Sequence, residues 1–112
     1  MKSYSAATGF VYQYYFYEVK KTRRGLSPGS EYTYMVSADR RPVFPVRVFV
    51  YRNAAEHWEA RTGRELSGTE EYAVAKMRLF QAFDEIESFA GRAPDLVVDG
   101  SNVQALLAQL DL

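Results

Sequence analysis

The chain has 112 residues, 47% of them hydrophobic and 25% charged, and a formal net charge of zero. That is enough for one domain with a real core, in the proportions of an ordinary globular protein rather than a disordered or fibrous one. It contains no cysteine, which excludes disulfides and thiolate metal sites.

The N-terminal stretch has a single early Lys followed by polar and aromatic residues. It lacks the apolar run of an export signal, so none is expected. Nor is there a run of 18 apolar residues to span a bilayer. A cytoplasmic location and no membrane partner are expected. The charge, though balanced, is unevenly placed: residues 1–52 carry +6 and residues 53–112 carry −6. Either the two halves complement each other within one fold, or the basic half faces an acidic partner such as nucleic acid.

The first half reads as strands. Phe10–Lys21 (FVYQYYFYEVKK) is rich in Tyr, Phe and Val, residues that suit a pleated surface. Pro28-Gly29 fits a turn. Glu31–Ala38 is the second strand, Asp39–Pro42 turns the chain, and Val43–Arg52 is the third. Pro45 has no N–H to give, so the third strand is expected to be an edge or bulged there. Short connections imply an antiparallel meander.

The second half reads as helices. Asn53 and Glu56 have the spacing of a capping box, opening a short helix that Gly63 ends. Ser67 and Glu70 form a second such pair. From Thr69 to Ala90 the residues Tyr72, Ala75, Leu79, Phe83, Ile86 and Ala90 recur at spacings of three and four, the stripe of an amphipathic helix. Gly91 and Pro94 stop it. Leu96–Val98 is a candidate fourth strand, and Ser101 with Gln104 opens a C-terminal helix. The fold expected is α+β: one domain over residues 1–112, with a three- or four-stranded antiparallel sheet in a basic half (1–52) and three helices in an acidic half (53–112).

Alternation along a strand tells its two faces apart. Phe44, Val46, Val48 and Val50 share one parity, as do Tyr32, Tyr34 and Val36; with Phe10, Tyr12, Tyr14 and Phe16 they make the expected core face. The opposite face then shows Tyr15, Tyr17, Met35, Phe49 and Tyr51, with Arg47 and Lys21 nearby. Tyr combines apolar area with a hydroxyl that stays wet, the profile of an interface residue. Together these rings would make a larger apolar patch than monomers usually show. Three covers are open: the C-terminal helix, a second copy, or another partner.

Leu96–Val103 reads LVVDGSNV. It resembles the opening strand and turn of the PIN-like and NYN ribonucleases, where an Asp at the strand end helps hold a catalytic metal. The resemblance implies Asp99 as the metal carboxylate and Asn102 as its neighbour. In those enzymes the motif opens a doubly wound domain and further acidic ligands follow; here nine residues follow Val103, and Asp111 is the only carboxylate among them. Asp-Gly as a turn and Ser101 as a cap account for the string without a metal.

The single histidine, His57, lies beside Glu56 and Glu59, but spacings of one and two residues do not gather three side chains on one helical face. Glu70 and Glu71 suit a helix's first turn; Asp84, Glu85 and Glu87 do not suit its last. GLSPGS lacks the spacing and Lys of a phosphate loop.

No catalytic residue, metal site or cofactor is therefore expected. The function expected is a non-enzymatic interaction module, self-associating as a homodimer or binding a protein partner through Tyr15, Tyr17, Met35, Arg47, Phe49 and Tyr51. The alternative is single-stranded RNA or DNA on the same face, with Lys21, Arg23, Arg24, Arg40 and Arg41 as candidate phosphate contacts.

Overall fold

The computed structural model describes residues 1–38, 42–86 and 94–110. In chain order the elements are β1 (Lys2–Ser5), β2 (Val11–Arg24), β3 (Ser27–Ala38), β4 (Phe44–Tyr51), α1 (Arg52–Thr62), α2 (Gly68–Glu85), β5 (Asp95–Val98) and α3 (Val103–Ala108). The α+β class holds. The sheet has five strands in the order β1-β2-β3-β4-β5 rather than three or four, and it is mixed rather than purely antiparallel.

Both differences have a local cause. Strand β1 is KSYS, three polar residues around one ring, too short and too polar to show a strand pattern. It pairs antiparallel with the first four residues of β2, Lys2 opposite Tyr14 and Ser5 opposite Val11. Strand β5 returns through the helices α1 and α2, and a crossover of that kind delivers a strand parallel to its neighbour. It lies beside β4, with Val48 opposite Leu96 and Val50 opposite Val98.

The β2–β3 hairpin is longer than the sequence pattern indicates. Its turn is at Gly25-Leu26, where Gly25 has a φ of 63°, and not at Pro28-Gly29, which lie inside β3 opposite Arg23 and Thr22. Pro45 sits in β4 opposite Met35, outside the stretch 47–50 that pairs with β5. Its missing N–H therefore falls on a locally open edge, as expected.

One continuous core lies on one side of the sheet. Tyr12, Tyr14, Tyr32, Tyr34, Val36, Val46, Val48 and Val50 point into it from the strands. Ala54 and Trp58 of α1, Val74, Leu79 and Phe83 of α2, and Val103, Leu106 and Leu107 of α3 meet them there. Ring contacts set the seat of α2: Phe83 stacks on Tyr12 at 4.2 Å between centroids, and Phe80 stacks on Tyr4 at 4.5 Å.

The helix ends sort the capping expectations. Ser67 caps α2 in a full capping box, its hydroxyl accepting from the Glu70 N–H while the Glu70 carboxylate accepts from the Ser67 N–H. Gly63 ends α1 in the left-handed region. Asn53 does not cap; α1 begins a residue earlier and its start has no side-chain cap. Ser101 does not cap α3 either, because its N–H and hydroxyl both donate to Asp99 in the preceding turn. Helix α2 stops at Glu85 rather than running to Ala90. Ile86 is already extended and packs on the core, and Asp84 and Glu85 are unfavourable against the negative end of a helix. The expectations for Asp39, Arg40, Arg41, Glu87, Ala90, Gly91 and Asp111 lie outside the described residues.

Candidate functional site

All three helices pack on one face, so α3 does not cover the other. That other face carries the expected surface, and two features reshape it.

The first is a β-bulge in β2. Phe16 lies opposite Tyr34 and Glu18 opposite Thr33, leaving Tyr17 with no partner in the β3 register. One extra residue reverses the parity of everything after it. Beyond the bulge Val19 and Lys21 fall on the helix side, opposite Tyr32 and Ser30, while Glu18, Lys20, Thr22 and Arg24 fall on the helix-free side. Lys21 is thus displaced from its expected face; its ammonium donates to Ser30 Oγ at 2.9 Å. The bulge accounts for Val19 on the helix side, whereas Tyr15, which precedes it, lies opposite Met35 on the helix-free side.

The second feature is curl. Arg24, at the end of β2, donates to the Asp95 carboxylate at the start of β5, with Nη1 to Oδ1 at 2.8 Å and Nη2 to Oδ2 as a second arm. These residues belong to strands three places apart and meet across the helix-free face, so the sheet bends over itself at that end. Arg24 holds the Asp95 carboxyl below its usual range by that hydrogen-bonded pair.

The enclosed end takes Phe49 with it. Phe49 is only 3% exposed, edge-on to Tyr51 at 4.8 Å, and its ring lies over Gly29, where a Cβ would come within 2.7 Å of it. Phe49 is therefore buried under the curled sheet and not surface, and Tyr51 is half-buried beside it. Met35 is half-buried, and Arg47 is exposed and reaches Glu31 at 3.8 Å. Of the expected rings, Tyr15 at 41% and Tyr17 at 60% remain open.

Two residues absent from the expected set join them. Phe16 and Val19 are 38% and 46% exposed on the helix side, where Phe16, expected in the core, lies edge-on to Tyr72 at 5.3 Å and to the buried Tyr34 at 5.9 Å with its outer side open. All four lie where β2 runs past β1, which reaches no farther than Tyr14. From Tyr15 onward β2 has β3 on one side and no strand on the other among the described residues. The signal for this edge was the run YFYEV itself, apolar in both phases. The length of β1, which decides what is left uncovered, had no such signal.

The expected phosphate contacts do not form one patch. Lys21 is on the helix side, Arg23 donates to the Leu26 carbonyl at 3.2 Å, and Arg24 is held by Asp95. Arg40 and Arg41 are outside the described residues.

Elsewhere Asp99 and Asp84 are committed to structure. Asp99 accepts from the Ser101 N–H at 2.9 Å and hydroxyl at 2.5 Å, which lowers its pKa. The Asn102 side chain accepts from the Asp99 N–H and donates to the Val97 carbonyl. Both residues implied by the ribonuclease resemblance thus build a turn. Asp84 borders a cleft of about 430 Å³ between Tyr4, Phe80 and Gln109; it accepts from the Tyr4 hydroxyl at 2.6 Å and the Ala7 N–H at 2.9 Å. Glu56, His57 and Glu59 are exposed on α1. No group of three or more His, Asp or Glu side chains is placed to hold a metal ion among the described residues, and no helix there is long and apolar enough to cross a membrane.

Comparison with known protein families, with curated proteins and with solved structures finds no match.

Proposed function

We propose that this protein is a non-enzymatic interaction module whose contact surface is the uncovered part of β2, centred on Tyr15, Phe16, Tyr17 and Val19. The observation that carries the reading is their exposure, between 38% and 60% each, side by side on a strand with an open edge. Isolated exposed apolar residues are unremarkable, but a contiguous group on an unpaired strand invites a partner. Burying one such ring contributes about 1.5–3 kcal/mol, and an open edge adds main-chain hydrogen bonds to whatever strand docks there.

Single-stranded nucleic acid is the weaker reading, since the described cations split between two faces and Arg24 is engaged. Light scattering on the purified protein at tens of micromolar tests self-association. A dimer is expected, and Tyr15→Ser/Tyr17→Ser, which leaves the core untouched, should weaken it at least about tenfold, the equivalent of ~1.4 kcal/mol. A strict monomer, or a dimer indifferent to both tyrosines, overturns the assignment of this surface to self-association.

A further inference from the structure

We propose that the partner for the β2 edge is a second copy of this chain, added antiparallel about a twofold axis at Val19, so that Glu18 of each copy faces Lys20 of the other. This rests on the interaction-surface reading above and specifies its occupant and register.

Side-by-side antiparallel strands from two identical chains are related by a twofold perpendicular to the sheet, so one residue must lie opposite its own copy. The charges on β2 choose which. An axis at Glu18 sets Glu against Glu, and an axis at Lys20 or Lys21 sets Lys against Lys. An axis at Thr22 sets Lys20 against Arg24. An axis at Tyr17 opposes the two bulges. With the axis at Val19, an apolar residue meets itself and two opposite-charge pairs form directly across the strands. Glu18 and Lys20 share the helix-free side, opposite Thr33 and Glu31, so the paired side chains project to the same face and can touch.

The same axis joins the exposed helix-side groups. Val19 and Phe16 of the two copies fall along one continuous sheet, with the helices of both copies on the same side. Regular pairing runs from Glu18 to Lys20, and the bulge then sets Phe16 and Tyr17 together opposite Lys21. Farther along, Arg23 would fall opposite Tyr14, where Lys2 already pairs, but the hairpin end bends over the helix-free face to Asp95 and so leaves the shared plane. The joined sheet ends in β5 of each copy, four residues long, with the four-residue β1 beside the seam. Short edges of that kind resist further addition, so assembly closes at two.

The test is a charge exchange read by sedimentation equilibrium at tens of micromolar. Glu18→Lys alone and Lys20→Glu alone each place like charges opposite each other twice, and each should weaken association at least about tenfold. The double variant Glu18→Lys/Lys20→Glu should restore the dimer. An equimolar mixture of the two single variants should form a heterodimer, because one then carries two lysines and the other two glutamates; no folding defect in either variant could produce that rescue. A mixture or a double variant that stays monomeric overturns the proposal. If the single charge variants associate as the wild type does while Tyr15→Ser/Tyr17→Ser does not, the register is wrong and the surface reading stands. A monomeric wild type that binds single-stranded oligonucleotides through the same tyrosines assigns the edge to nucleic acid and overturns the second copy.

Discussion

Gly29 shows how one residue type can carry two meanings. Beside Pro28 it suggests a turn, and its pairing with Pro is a sound turn signal. In the structure it is a strand residue that must lack a Cβ, because the Phe49 ring lies across it and the Val50 carbonyl oxygen is closer still. A turn glycine and a close-approach glycine look the same in sequence; only the ring on the neighbouring strand separates them. Gly29→Ala should destabilise the protein by about 1–3 kcal/mol, the range for forcing an added carbon into a packed site. A urea midpoint shift at unchanged slope checks this, and an unchanged midpoint would mean that Phe49 has room to move. The expectation for Phe49 failed for the same reason. Its parity was read correctly, since it does lie on the helix-free side, but parity gives no account of a sheet that folds over its own face.

Helix caps were legible where the cap competes with nothing else. Ser67 and Glu70 form the reciprocal pair that the spacing implied, and Arg64 reinforces it by donating to Glu70 at 2.8 Å. Ser67→Ala should cost about 1 kcal/mol, measurable as a drop in thermal or urea stability, with Ser67→Asp recovering most of it. The Asn53 and Ser101 spacings are just as suggestive but came to nothing. Ser101 is drawn away by the Asp99 carboxylate two residues before it, and α1 starts directly from the end of β4 with no residues to spare. Strand β4, with clean alternation, was readable nearly end to end, and β3 from Glu31 onward, its first residues having the look of a turn. Strand β1 was not, because a four-residue strand with one inward ring has no period to detect, and β5 was visible as a strand whose direction depends on the helices before it.

At the scale of the whole molecule, tyrosines tie the sheet to α2. Tyr4 in β1 donates to Asp84 near the end of α2, which with burial pushes its hydroxyl from 10.0 up to about 12. Burial and then the hydrogen bond to Glu71 push Tyr32 up as well, and burial does the same to Tyr34. The folded protein thus keeps protons that the unfolded chain releases above its ordinary phenol pKa. The stability these groups contribute is complete below about pH 10 and is lost as the pH rises through their raised values, which for Tyr4 is about 12. Tyr4→Phe should flatten that loss, since it removes one of the groups; urea midpoints compared across the window test it, and an unchanged slope would show that Tyr4 ionises as freely folded as unfolded.

The unpaired Tyr17 works like a frame shift within a strand. From Glu18 to Arg24 the numbering changes face at that insertion, while the partners on β3 run on without a break. Losing Tyr17 would leave Phe16 and Glu18 as ordinary neighbours opposite Tyr34 and Thr33, so both surfaces of the hairpin end would survive, the clasp of Arg24 on Asp95 included. A deletion at Tyr17 should therefore be tolerated better than one between Glu18 and Arg24, where the pairing toward the turn has no residue to spare.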